Sequence, residues 1–307
     1  MESIKYINRD SKNICEEKIP GEKCLRYLYY TSSGRMLLKT MVNKKIVSDL
    51  YGFLMKMPFS KKKIDAFIAE YKIDIDLFEK PGKGYKNFND FFIRRIKQSK
   101  LNLDINDEVL ISPADGKVLV FENLQDETFI IKGMEFNIKT LLQDEQSYHK
   151  YKSGSMAIIR LAPADYHRFH FPCDSIPGET KLIKGKYYSV SPLALKQLPN
   201  VFLQNKRTVC YLDKTVFGKI AYLEIGATMV GSIKQTYYNP KKAYNPELVF
   251  KGQEKGYFEF GGSTVILLFE KDKLKFDNDL LENTSKGLET SIKFGDSLGR
   301  LFDETNR

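Results

Sequence analysis

Three short segments of this 307-residue chain set reactive groups beside backbone-permissive residues. Ser112-Pro113-Ala114-Asp115-Gly116-Lys117 supplies a carboxylate in a turn that leads into the apolar run VLVFE. Tyr166-His167-Arg168-Phe169-His170-Phe171-Pro172 holds two of the chain's three histidines. Phe260-Gly261-Gly262-Ser263-Thr264 places a hydroxyl where the apolar run VILLFE begins. A hydroxyl is a poor nucleophile until a base takes its proton, and a carboxylate holds such a base in the useful tautomer. Asp115, one of the two histidines and Ser263 make up that set, since histidine is the side chain best suited to moving protons near neutral pH. The two glycines give the backbone enough freedom for the Ser263 hydroxyl to approach the Gly262 carbonyl.

Each segment also has a plainer reading. P-A-D-G is an ordinary turn, and Gly-Gly before a strand is commonly a tight turn or bulge with the serine as a cap. The two histidines could simply be buried and hydrogen-bonded. Two residues separate them, not the three of a helical metal pair, and Pro172 discourages helix, so the rings should diverge and take separate roles. Gly226-Ala227-Thr228-Met229-Val230-Gly231-Ser232-Ile233 offers amides that could receive an oxyanion or let a neighbouring strand come close. Cys15, Cys24, Cys173 and Cys210 lack C-x-x-C spacing, so reduced thiols are expected and a zinc site is not.

Two kinds of element must position these groups. From Arg35 to Lys63 eight basic residues (Arg35, Lys39, Lys44, Lys45, Lys56, Lys61, Lys62, Lys63) stand against one acidic residue, Asp49. Within that stretch Leu37, Leu38, Met41, Val42, Ile46, Leu50, Phe53, Leu54 and Met57 recur at three- to four-residue steps, which predicts an amphipathic helix. Such a helix either packs on the protein with solvated lysines or lies in the interface of an anionic membrane. Further helices are expected at Lys62 to Tyr71 and at Phe88 to Lys97, the latter capped by Asn87 or Asn89. Beyond about residue 105 the texture changes to short β-branched runs: Lys117 to Glu122, Thr128 to Lys132, Met156 to Leu161, Ile220 to Ile225 and Thr264 to Phe269. They are not interleaved with long helices, which favours an antiparallel sandwich or barrel over a doubly wound sheet. The expected fold is therefore α+β, with a basic helical region over residues 1–104 and a β-rich catalytic domain over 105–307.

Composition fits a globular protein, with 42% hydrophobic and 29% charged residues. No apolar run approaches the roughly 18 to 20 residues that span a bilayer. Residues 1–10 contain no apolar core of a secretory signal, so the protein is expected to remain inside the cell. A net charge of +10 favours an anionic partner. Nucleic acid is set aside because no nucleic-acid-binding module is recognisable.

In this order the segments resemble the phosphatidylserine decarboxylase family, pyruvoyl-dependent enzymes that make phosphatidylethanolamine. The resemblance rests on FNDFFIRRIK (88–97), SPADGKV (112–118), YHRFHFP (166–172), NKR (205–207), GATMVGSI (226–233) and FGGSTVILLFE (260–270). It implies a carboxy-lyase proenzyme that cuts itself between Gly262 and Ser263, into a large chain (1–262) and a small one (263–307) that stay packed together. His170 would act as base on Ser263, with Asp115 orienting it, and His167 would serve the decarboxylation half. Ser263 would become a covalent pyruvoyl group, the cofactor, whose carbonyl forms a Schiff base with the amine of phosphatidylserine. The resemblance further implies a peripheral place on the cytoplasmic face of the cell membrane, and a homodimer is a further expectation. Other readings of the same residues are a hydrolase triad acting on an external ester or amide, a silent basic membrane-binding module, and a decarboxylase of archaeal ether-linked serine lipids. The hydrolase lacks a G-x-S-x-G elbow.

Overall fold

A computed structural model describes residues 3–124, 128–131, 134–227, 233–238 and 243–303. Its centre is a large, open and mostly antiparallel sheet. The apolar run after Gly262 becomes the strand Ser263–Phe269, buried along its whole length. Gly218–Gly226 pairs with it on one side and Ser155–Leu161 on the other, in register Ser263 with Gly226 and Ser263 with Leu161. A strand flanked on both edges and covered on both faces has no solvent face, which is why it reads as a continuous apolar run. Gly116–Phe121 follows beyond Ser155–Leu161, and its first residue must be small because a Cβ at Gly116 would lie 2.6 Å from the Arg160 carbonyl oxygen.

A smaller three-stranded sheet carries His170 on Arg168–His170, one residue after His167, and this strand pairs with Glu254–Phe258, which also pairs with Ile233–Gln235. Lys255 of this sheet reaches into the protein and donates to Glu224 of the large sheet at 2.6 Å, both side chains fully buried. Gln235 accepts from the Lys255 ammonium, which also lies over the Tyr222 ring, while Thr208 donates to Glu224. A buried pair of charges is tolerated only when hydrogen bonds satisfy both ends, and here they do, so the two sheets are locked together.

The expected α+β class and β-rich second part are present, and the large sheet is not closed into a barrel. The boundary at residue 104 is less clean than composition suggested. Lys5–Ile7 and Ile14–Glu16 are strands at the edge of the large sheet, and Lys5–Ile7 runs parallel to Glu289–Ile292. Arg160, buried, donates to Glu17 and to Glu289, joining both ends of the chain to the central strands.

The helices that cover the site are α1 (Glu22–Tyr30), α2 (Ser32–Leu37), α3 (Lys45–Lys56), α4 (Ile64–Tyr71) and α5 (Phe88–Phe92). The expected long helix over residues 35–63 is interrupted by a π-helical turn at Leu38–Val42 and by a 3-10 segment, Pro58–Lys63, that begins at a proline. The expected helix at 88–97 stops at Phe92. Asn87 caps it by accepting from the Asp90 amide, and Asn89 instead lies inside the helix. On α3 the apolar stripe points outward: Ile46 (79% exposed), Leu50, Phe53 and Leu54 face solvent, whereas Ser48 and Met55 are buried.

Candidate active site

Ser263 opens its strand with no solvent exposure, and its Oγ lies 3.3 Å from Nδ1 of His167. The other ring nitrogen, Nε2, is 3.0 Å from the carbonyl oxygen of Ala162. A carbonyl can only accept, so Nε2 carries the proton and Nδ1 is left with a lone pair facing the hydroxyl. Burial drives the His167 pKa down to about 3, with Arg94 and Lys117 adding to the fall against the opposing pull of Asp165, so the ring is neutral. Phe92 of α5 stacks on it, with ring centroids 3.9 Å apart. The result is a fixed, unprotonated imidazole with its acceptor nitrogen against a buried hydroxyl, which is the arrangement a general base needs.

The Ala162 carbonyl is itself held. Asp165 accepts from the Ala162 amide at 2.7 Å and pairs with Lys117 at 3.0 Å. Burial alone would raise the Asp165 carboxyl, but Lys117 and Lys293 outweigh it and leave its pKa lowered. Arg94 donates to the carbonyls of Ala164 and Asp165 from beneath the same turn. Its guanidinium lies over the rings of Phe78 and Phe91 at 4.4 and 4.9 Å, which gives this buried cation, with no carboxylate in salt-bridge reach among the described residues, some compensation.

Upstream of the serine, Gly261 has φ +137°, a conformation side chains rarely adopt. A mostly apolar cavity of about 270 Å³ adjoins Gly261 and Gly262, walled by Leu28, Val42, Tyr51 and Val190 among others. There is therefore room beside the Gly262 carbonyl for a change of geometry or for a ligand.

His170 and Asp115 are placed differently from the expected triad. His167 precedes the strand Arg168–His170 that ends in His170, and the two rings have different partners. His170 Nδ1 is 3.0 Å from the Gly252 carbonyl and its Nε2 is 3.1 Å from the Tyr166 hydroxyl. Both nitrogens are thus engaged away from Ser263. The ring stacks on Phe294 at 3.7 Å and lines a second cavity of about 740 Å³, with Tyr166 and Gly252. Burial lowers its pKa to about 3 as well. Asp115 accepts from the Phe294 amide at 2.8 Å and from Lys293 at 3.1 Å, and Phe294 in turn stacks on His170. The histidine within hydrogen-bond reach of Ser263 in this geometry is His167, whereas the expected base was His170.

Residues 228–232 of the GATMVGSI segment lie outside the described residues. Of its described part, Gly226 pairs with Ser263 in the sheet and its carbonyl accepts from Asn205 of the NKR segment at 2.9 Å. No cluster of three metal-ligating side chains occurs among the described residues. Phe92, Arg94 and the Ala162 carbonyl were not singled out from sequence. The FNDFFIRRIK run was the available signal, because its aromatic density exceeds what a short amphipathic helix needs.

Comparison with known proteins identifies the family of this chain. The phosphatidylserine decarboxylase family profile matches residues 88–300. A protein of Fusobacterium nucleatum subsp. nucleatum named phosphatidylserine decarboxylase proenzyme is 45% identical over 299 residues, covering 97% of this chain and 98% of its own. Proteins of the same name from Clostridium botulinum (strain Hall) and Desulfitobacterium hafniense (strain Y51) are 43% and 41% identical over 297 residues, each covering 96% of this chain. With a profile over more than half its length and relatives above 40% identity end to end, the chain belongs to the phosphatidylserine decarboxylase family.

Proposed function

We propose that this chain is a proenzyme that cleaves itself between Gly262 and Ser263 and then decarboxylates phosphatidylserine to phosphatidylethanolamine. The observation that carries the reading is the 3.3 Å approach of Ser263 Oγ to the lone pair of His167 Nδ1, one residue after Gly-Gly. His167 takes the hydroxyl proton while Oγ attacks the Gly262 carbonyl carbon. The C–N bond breaks, the proton passes to the departing amine, and the amide has become an ester. Loss of the Cα proton of residue 263 then expels the Gly262 carboxylate and leaves dehydroalanine. Water hydrolyses this with release of ammonia, giving an N-terminal pyruvoyl group on the small chain. Atoms balance with one water consumed and one ammonia released.

The buried serine, its neutral acceptor and the adjoining cavity fit such a group. Once formed, the pyruvoyl group supplies an electron sink for the substrate's amine-bearing carbon, as pyridoxal phosphate does in other enzymes. His167 serves this half as well, returning a proton from Nδ1 to the carbon that has lost CO2. Asp115 and His170 support the wall of the site through Phe294 and do not exchange protons with Ser263.

The substrate is a membrane lipid, and the outer faces of α2 and α3 suit an interface. Met36, Met41, Ile46, Leu50, Phe53 and Phe59 are each exposed, as are Lys39, Lys44, Lys61, Lys62 and Lys63 of the same stretch. Each such basic residue contributes about 1 kcal/mol near an anionic surface, and the apolar side chains insert shallowly. No helix among the described residues is long and apolar enough to cross a membrane. We place the enzyme peripherally on the cytoplasmic face of the membrane. The test is release of CO2 from carboxyl-labelled phosphatidylserine in vesicles: the reading requires release that stops when the protein is treated with hydrazine. Vesicle binding without release would leave only a basic membrane-binding module.

A further inference from the structure

α5 touches both halves of the self-cleavage site. From its inner face Phe92 stacks on His167, the proton acceptor. One turn earlier on that helix, Asn89 Oδ1 accepts from the backbone amide of Phe260 at 3.1 Å, two residues before the bond to be cut. Asn89 is buried in a short helix already capped by Asn87, so its side chain is not needed at the helix end. The Phe260 ring is enclosed by Phe88, Phe92 and Tyr51 at 5.2, 4.9 and 5.5 Å. Phe260 is therefore fixed at its amide and at its ring, and the remaining freedom before Ser263 lies in Gly261 and Gly262.

We propose that Asn89 is a positioning residue for self-cleavage: by holding the Phe260 amide it sets the Gly261 conformation and presents the Gly262 carbonyl to Ser263. This rests on the self-cleavage reading above. Attack on a carbonyl demands a near-attack geometry, and a misplacement of about 1 Å can cost on the order of 100-fold in rate. Because the clamp and the stacking partner of His167 share one helix, electrophile and base are held in a common frame.

The test follows the splitting of full-length protein made in a cell-free system, by denaturing electrophoresis over time. Asn89→Ala should slow splitting roughly tenfold or more. Asn89→Asp keeps an acceptor oxygen and should return to within about threefold of wild type. Asn87→Ala weakens the same helix through its cap without touching Phe260, and should split at close to the wild-type rate. In a Ser263→Ala background, which cannot split, the thermal midpoints of Asn89→Ala and Asn87→Ala should fall by similar amounts, so that stability alone does not explain the difference in rate. Should Asn89→Ala fail to accumulate, Asn89→Leu, which matches the volume but lacks the acceptor, replaces it. Splitting of Asn89→Ala at the wild-type rate, equal slowing in Asn87→Ala, or no recovery in Asn89→Asp overturns the proposal. Wild-type protein that stays whole removes the parent reading and the clamp together. Wild-type protein that splits alongside equally fast Asn89 variants removes the clamp alone.

Discussion

Ser263 Oγ and His167 Nδ1 are 3.3 Å apart, and the bond that His167 Nε2 donates to the Ala162 carbonyl leaves Nδ1 able only to accept. A buried hydroxyl facing a neutral, oriented imidazole is a prepared nucleophile, and the residue before it supplies the electrophile.

The two histidines should separate on substitution. His167→Ala removes the ring nitrogen that accepts from the Ser263 hydroxyl and should reduce self-cleavage by about 100-fold or more. His170→Ala removes a ring stacked on Phe294, and should slow cleavage far less while lowering stability by roughly 2 kcal/mol. Electrophoresis of both variants after a fixed interval decides the matter, and the opposite ranking would restore His170 as the base.

On the proposed reading Asp115 acts by holding the Phe294 amide. Asp115→Ala leaves the buried Phe294 amide without its acceptor, at a cost of about 1 to 3 kcal/mol. Lys293, largely exposed, adds little. Asp115→Asn keeps an acceptor for the amide and should recover most of the stability and of the cleavage rate, as measured by urea unfolding and electrophoresis. An Asn variant as inactive as Ala would show that the charge itself is required.

Acid should loosen the proenzyme. Both His167 and His170 titrate near 3 in the fold against 6.5 as ordinary histidines, because burial disfavours the charged ring. Between those values the unfolded chain binds more protons, so their contribution is complete above about pH 6.5 and is lost as pH falls toward 3. At pH 5 the loss is on the order of 2 kcal/mol per histidine. Urea unfolding of Ser263→Ala protein at pH 7 and pH 5 measures it, and His170→Asn should reduce the difference by about half. Equal stability at the two pH values would mean that the histidines are not buried neutral.

Membrane docking should depend on the outward stripe of α3. Replacing Ile46 and Phe53 together by Asp should weaken binding to anionic vesicles by about tenfold or more while leaving self-cleavage near wild type. Co-sedimentation with vesicles of phosphatidylglycerol reports the first quantity. Unchanged binding would assign that stripe to a protein partner instead.

Some of this was visible in the sequence. The strand runs at 117–122, 156–161 and 264–269 announce themselves because buried strands must be apolar throughout, and the Gly-Gly-Ser entry to the last of them places the hydroxyl at a strand end. Which histidine faces it was not visible, since period-two alternation assigns faces only once Arg168–His170 is known to be a strand and its neighbours are known. Asn89 looked like a cap because its partner, Phe260, lies 171 residues away. The edge strand Lys5–Ile7 was hidden for the same reason, pairing with Glu289 and Thr290 at the other end of the chain. For α3, periodicity identifies an apolar face but carries no information about which side of the helix meets the protein.

The most direct measurement is the intact mass of purified wild-type protein under denaturing conditions. The account predicts two polypeptides, residues 1–262 and a blocked fragment beginning at position 263 with a ketone in place of the amine. A single unbroken chain of full mass, unreactive toward hydrazine, would contradict it.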